Sequence, residues 1–290
     1  VSAFFAFLFS FSLSFVFVKF IPHRFPSDKP NERKIHRFAV PLTGGISIFG
    51  SYIIFVRDPR LLAASCLVFA LGLLDDIEEL TYKSKLPFQM LIAIIAAFFL
   101  LPQEIRIFGL STGSVGLFLA PVWMIAMINA VNMIDGLDGL AGGSLMIASF
   151  ILNQRILGAV IGGFLPFNLP PAKTFLGNSG SMFLGFAVPL AAITAFKGDL
   201  GYATLFLGYP AYEVISSFSR RVIARRNPFK ADKEHTHHVL LARLGIKKTL
   251  LILLSFSFIC NLIGLTEKFW TLFLYLLLGS VLFFYCRLQR

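Results

Sequence analysis

Apolar runs broken only by short polar links recur along this chain from Val1 to Cys286. A backbone inside such runs must satisfy its own N–H and C=O groups, and in lipid only helices and closed barrels do so. The runs are continuous rather than alternating, which selects helices over barrel strands. We read eleven of them, at about 1–21, 42–56, 61–74, 86–101, 114–130, 139–153, 156–169, 181–196, 200–218, 249–265 and 268–286. With 57% hydrophobic and 14% charged residues, the chain is too apolar for a soluble domain of its size. The expected fold is an all-α polytopic membrane protein of about eleven transmembrane helices, one integral domain over 1–290. Gly109 and Gly113 in the fourth link suggest a small hairpin. The first run lacks a basic start and a small-residue cleavage site, so it reads as a retained helix. Cys66, Cys260 and Cys286 share no short spacing, so neither a disulfide framework nor a metal knuckle is expected.

The net charge of +11 sorts by link. Lys and Arg crowd the links at 22–41, 83–85 and 220–248 and the C-terminus, and are sparse in the alternate ones. The positive-inside rule then puts the N-terminus outside, the C-terminus in the cytoplasm, and explains the charge without nucleic acid. The rule says nothing of His or Asp. Yet all five histidines, with Asp75, Asp76, Asp135 and Asp138, fall on that same face. The expectation is a catalytic surface turned to the cytoplasm from the cell inner (plasma) membrane.

The densest polar stretch is Asn129-Ala-Val-Asn132-Met-Ile-Asp135-Gly136-Leu-Asp138-Gly139. Asn129, Asn132, Asp135 and Asp138 stand three apart, so on a helix they drift round one face. Four oxygen-bearing side chains there suit a hard cation, a phosphate-bound cation or a nucleoside; a hydrated turn needs no such set. Asp75 and Asp76 close an apolar helix where carboxylates oppose the macrodipole, a cost that a cation or a cationic side chain would offset. Lys83 and Lys85 follow and could hold a phosphate; Glu78 and Glu79 read as an interfacial cap. His235-Thr-His237-His238 lies in a long basic loop. Zinc is the weaker reading, since adjacent imidazoles diverge on most backbones, and Arg225, Arg226, Lys230, Lys233 and Arg243 favour an anion. Phe175-Leu-Gly177-Asn178-Ser179-Gly180-Ser181 is a Gly/Ser break whose serines can cap the next helix. Arg33-Lys34-Ile-His36 is weak alone.

Taken together, from Asp28 to His238, these segments resemble the polyprenyl-phosphate N-acetylhexosamine-1-phosphate transferases. The Asp-Asp pair, the Asn-x-x-Asn-x-x-Asp-Gly-x-Asp-Gly run and the His-x-His-His segment in this order carry the resemblance. The His-x-His-His form looks more like the branch that starts O-antigen or teichoic-acid linkage units. CDP-alcohol phosphotransferases share an Asp-Gly-rich run but need an Arg soon after it and two further spaced aspartates, which are missing here.

The resemblance implies transfer of sugar 1-phosphate from a UDP-N-acetylhexosamine to a polyprenyl phosphate such as undecaprenyl phosphate. It implies Mg²⁺, with Mn²⁺ as a substitute, held by Asn132 and the residue at Asn178. Phe175 would stack uracil. Asn129, Asn132, Asp135, Asp138 and Lys34 would line the nucleotide-sugar pocket. Lys85 would bind the acceptor phosphate, and Asp75 is the usual candidate for activating it. Asp75 and Asp76 could instead position Lys85 or a metal-bound water, because a phosphate monoester is largely dianionic at neutral pH. Asp75, Asp76, Asp135, Asp138, His235, His237 and His238 form the expected catalytic set. A homodimer through helix packing is compatible with all of this. One departure stands out: the family writes Gly-Asp-x-Gly-Ser where this chain has Gly177-Asn178-Ser179-Gly180-Ser181. Loss of that charge should weaken metal binding, which keeps a catalytically impaired homologue as the alternative. A lipid-linked sugar transporter is the other; it would place ionisable groups near the midplane, where Glu213 is the only acid inside an expected span.

Overall fold

A computed structural model describes residues 1–20, 26–28, 39–225 and 234–287. Twelve α-helices occur among them. These are α1 (Ser2–Phe20), α2 (Gly44–Tyr52), α3 (Pro59–Glu78), α4 (Tyr82–Leu100), α5 (Gly116–Ile134) and α6 (Leu140–Ile151). There follow α7 (Arg155–Asn168), α8 (Gly177–Ala195), α9 (Leu200–Phe206), α10 (Gly208–Ile223), α11 (Thr236–Leu265) and α12 (Thr271–Arg287). Two antiparallel ladders of two residues a side complete the set: β1 (Ser27–Asp28) with β2 (Val40–Pro41), and β3 (Arg106–Ile107) with β4 (Leu110–Ser111). The second is the hairpin that Gly109 and Gly113 foreshadow, and both glycines have positive φ.

Each of the eleven expected runs becomes a helix, and the ninth becomes two. The chain breaks at Leu207 between α9 and α10. A break inside an apolar bundle frees carbonyls that lipid cannot satisfy. Here Asn261 Nδ2 donates to Phe206 O at 2.5 Å and Tyr275 Oη donates to Gly208 O at 3.0 Å. Gly208 lets α10 approach α11 and Gly264 lets α11 approach α9, since a Cβ on the first would overlap Cys260 and one on the second Phe206. The stretches Ser2–Phe20, Tyr82–Leu100, Gly113–Ile134, Gly177–Ala195 and Thr236–Leu265 are long and apolar enough to cross a membrane. The chain is therefore an all-α polytopic membrane protein.

Helix α8 is the centre. It packs on α2, α3 and α5, and its side chains are buried along nearly the whole length. Glycine sets how near its neighbours come. A Cβ on Gly72 of α3 would meet Asn178 O at 2.5 Å, and one on Gly45 of α2 would meet Gly180 N at 2.3 Å. The starts of α2 and α8 and the last turns of α3 thus converge at one end of the bundle. At the opposite end Asp199 caps α9 through Tyr202 N at 3.0 Å and clamps the hairpin through Phe108 N and Gly109 N at 3.0 and 2.6 Å.

Candidate active site

Asp75 and Asp76 do not end their helix as expected. Helix α3 continues to Glu78 and stops at Glu79, whose φ of 49° is left-handed. Both aspartates are buried at 3% and 8% exposure, whereas Glu78 and Glu79 are exposed, as an interfacial cap would be. The two buried acids face different partners. Asp75 Oδ2 accepts from Lys85 Nζ at 2.8 Å, across the short turn into α4. Asp76 accepts from the backbone N–H groups of Asn178 and Ser179, at 2.7 and 2.9 Å. These are among the first N–H groups of α8, so Asp76 supplies from another helix the cap expected of Ser179 or Ser181. Ser181 Oγ accepts from Asn132 instead. Only glycine fits at 177: its φ is +74°, and a Cβ there would meet Asp76 Oδ2 at 2.8 Å.

Asn129 and Asn132 lie on α5, but Asp135 and Asp138 do not. Helix α5 stops at Ile134, Asp135 is its C-terminal cap, and Asp138 sits in the turn before α6. The three-residue spacing is therefore not one helical stripe; Gly139, with φ +77°, is the N-terminal cap from which α6 starts. Asn132 Nδ2 donates to Asn178 Oδ1 and to Ser181 Oγ, both at 2.8 Å, so the two amides expected to share a cation do meet. Asn129 points elsewhere: its Nδ2 donates to Gln89 Oε1 at 3.0 Å and to Ile125 O at 2.9 Å. Gln89, buried one turn along α4 from Lys85, carried no sequence signal, since a single amide in an apolar helix belongs to no spacing pattern. Asp138 Oδ2 accepts from Ala172 N at 3.0 Å and ties the turn to the segment leading to Phe175. Phe175 is half-buried, and Pro41 O and Gly44 N grip its backbone at 3.0 Å each.

Charge decides what this junction can hold. Burial, and then the neighbouring carboxylates of Asp76 and Asp138, push the Asp135 carboxyl well above the usual carboxylate range. A cation would relieve that crowding. Among the described residues no three His, Cys, Asp or Glu side chains form a metal-holding group, so a dedicated carboxylate cage is absent there. The donor set instead suits a hard cation that comes with its own phosphates. Asn132 and Asn178 offer neutral oxygens, and an amide turned about its last torsion exchanges nitrogen for oxygen. The residues fit Mg²⁺ on those terms.

The histidines are not in a loop: His235 is the N-terminal cap of α11, and Thr236, His237 and His238 form its first turn. Their rings do not diverge. His237 and His238 have centroids 4.3 Å apart, and the His235 and His237 rings are parallel at 5.6 Å. His237 is fully buried, and a Cβ on Gly136 would meet its Nε2 at 2.5 Å. The histidine turn and the Asp135–Asp138 turn are thus in contact. Sequence reading also left Glu213 without a role. It is fully buried, and its Oε1 accepts from Thr236 N at 3.1 Å and pairs with His235 Nδ1 at 3.0 Å. Lys34, expected in the nucleotide pocket, lies outside the described residues, as do Arg33, His36, Arg226, Lys230 and Lys233.

Residues 59–196, which carry both aspartate motifs and Asn178, match the family model described as glycosyl transferase family 4. The chain is 47% identical over 264 residues to an undecaprenyl-phosphate alpha-N-acetylglucosaminyl 1-phosphate transferase of Thermotoga maritima. That match covers 91% of this chain and 89% of the relative. The Escherichia coli K12 protein of the same description is 30% identical, over 89% of this chain and 83% of its own length. A probable undecaprenyl-phosphate N-acetylglucosaminyl 1-phosphate transferase of Bacillus subtilis is 29% identical, over 90% of this chain and 82% of its own.

Proposed function

This chain belongs to glycosyl transferase family 4, and from that premise we propose that it moves N-acetylhexosamine 1-phosphate from a UDP-sugar to undecaprenyl phosphate, releasing UMP. The relatives' descriptions support a sugar-1-phosphate transferase acting on a polyprenyl phosphate. The observation that carries the finer reading is the junction at the start of α8. It puts Lys85, a pair of amides and three crowded carboxylates within one polar patch at one end of the bundle, which supports the reading.

The reaction divides between the two sides of that patch. On the α3–α4 side, Lys85 takes the acceptor phosphate. The Lys85–Asp75 ion pair favours Asp75 as the group that aims the ammonium, rather than as a base. A phosphate dianion at neutral pH needs no proton removed. On the α5–α8 side, Asn132 and Asn178 would hold Mg²⁺ (or Mn²⁺) with the donor pyrophosphate, and that ion supplies charge neutralisation as the bond to UMP breaks. Phe175 stacks uracil, and Asp135 and Asp138 hold the nucleoside side. An acceptor oxygen attacks the β-phosphorus; the bond from that phosphorus to the bridging oxygen breaks, and UMP leaves with the electron pair. His237, against Gly136, and His238 beside it would face the phosphates.

The same reading places the site at the cytoplasmic face of the inner membrane, with about eleven crossings, an outside N-terminus and a cytoplasmic C-terminus. A soluble nucleotide-sugar is available there, and the Lys and Arg distribution agrees. The transporter alternative loses its footing, because Glu213 is engaged in capping α11. The test is product analysis: purified protein, undecaprenyl phosphate, and a panel of UDP-hexosamines with and without Mg²⁺. Formation of UMP with a lipid diphosphate-sugar is expected with UDP-N-acetylglucosamine; UDP with a lipid monophosphate-sugar would refute the reaction class.

A further inference from the structure

Among the described residues, Glu213 carries a carboxylate with no exposed surface that the reaction, as divided above, does not use. It sits nearly three turns from the C-terminal end of α10. Its Oε1 does two things at once: it accepts from Thr236 N at 3.1 Å and faces His235 Nδ1 at 3.0 Å. Ser217, one turn on, adds its hydroxyl at 3.2 Å from the same ring nitrogen. A buried carboxylate is costly unless it is well paired, so its placement needs a reason. A neutral side chain could cap α11 as well; what a carboxylate adds is a fixed tautomer, with a proton kept on His235 Nδ1. The His235 ring lies parallel to that of His237 with centroids 5.6 Å apart, and the His237 centroid lies 4.3 Å from that of His238, so the three rings form one contiguous group.

His237 is where this arrangement leads. It is fully buried, and neither ring nitrogen has a hydrogen-bond partner among the described residues. Its Nε2 is the ring atom nearest Gly136, in the turn between Asp135 and Asp138. A buried imidazole without partners at the edge of a phosphate site is a group waiting for a ligand. Resting on the transferase reading above, we propose that Glu213 is a positioning residue for the transfer step. It fixes His235 and the start of α11, and through them sets His237 against the Gly136 turn.

The test uses the full-length protein in the transfer assay, where wild-type product formation decides the transferase reading before any variant is compared. Glu213→Gln is nearly isosteric and still offers an oxygen to Thr236 N. It should lower kcat by roughly 10–100-fold, the range for outer partners of functional histidines in metal sites, while KM for the UDP-sugar moves by less than about 2-fold. If Glu213 acts through the histidines, its loss should matter little once they are gone. In a His235→Ala background, Glu213→Gln should cost under about 3-fold more, a coupling that independent sites do not give. Glu213→Asp carries the same cycle should the Gln variant not fold. Equal losses in both backgrounds, or a rise in KM with kcat unchanged, would overturn the proposal while leaving the transferase reading intact.

Discussion

Replacing Asp76 separates a structural role from a chemical one. Both its oxygens are committed to backbone N–H groups of α8, at 2.7 and 2.9 Å, in a setting 8% exposed. Asp76→Ala strands two donors, each worth about 1–3 kcal/mol when left unmet, for a gross loss of ~2–6 kcal/mol. Some of this returns, because a buried carboxylate beside Asp75 and Asp135 is also removed, and a net of ~2–4 kcal/mol is a fair expectation. At ~2–4 °C per kcal/mol for a chain of this order of size, the melting temperature should fall roughly 4–16 °C. Asp76→Asn keeps one acceptor and should lose about half as much. Asp75→Ala is the control: it releases Lys85, whose side chain keeps 22% exposure and can turn to water, so stability should drop far less while turnover falls. Thermal unfolding in detergent, with UMP affinity as a second reading, tests the set. UMP binding should weaken for the Asp76 variants, because Asn178 is what the cap holds in place. An Asp76→Ala protein that melts within about 1 °C of wild type would refute the reasoning.

Three further outcomes follow from the same geometry. Asn178→Asp should raise turnover at millimolar Mg²⁺ and lower the stability of the metal-free protein, since it adds a carboxylate beside Asp76; unchanged Mg²⁺ dependence would remove residue 178 from the metal. The raised Asp135 carboxyl stabilises the fold while protonated, so that contribution drains away as pH climbs from about 4, the unfolded-chain value, through the higher folded value. Metal-free Asp135→Asn should therefore gain on wild type in melting temperature across that window, and parallel curves would contradict the sign. In a Cys66→Ser background, a cysteine at exposed Glu79 should react only with thiol reagents on the cytoplasmic side and one at exposed Ser111 only from outside; the reverse would invert the topology.

Much of the architecture was legible because membrane helices write themselves as apolar runs, and because glycines at 109 and 113 mark a tight hairpin. The meeting of Asn132 with Asn178 was also readable, but only through the resemblance, since nothing local joins residues 46 apart. What stayed hidden shares one cause. Asp76 caps a helix through an amide 102 residues later, Gln89 meets Asn129 across 40, and Glu213 reaches Thr236 across a long basic segment. Spacing rules describe neighbours on one element, and each of these bonds joins two. The break at Leu207 has a local signal in Gly208 and Pro210, the latter in the first turn of α10, but the groups that satisfy its freed carbonyls, Asn261 and Tyr275, lie far along the chain.

The two sides of the reaction are mounted on unlike supports. Asn178 starts α8, of which 78% is enclosed by other helices, whereas Lys85 rides on α4, only 22% enclosed and with Phe88, Leu91, Phe98 and Phe99 turned outward. A helix walled by protein keeps its tilt when the surrounding lipid thickens or thins; one flanked by acyl chains adjusts to it. On the proposed division of the reaction, the gap between Lys85 and the amides of Asn132 and Asn178 is then a length that the bilayer itself can alter. An enzyme built this way would feel the mechanical state of the membrane it serves, and would pass that state on as a rate.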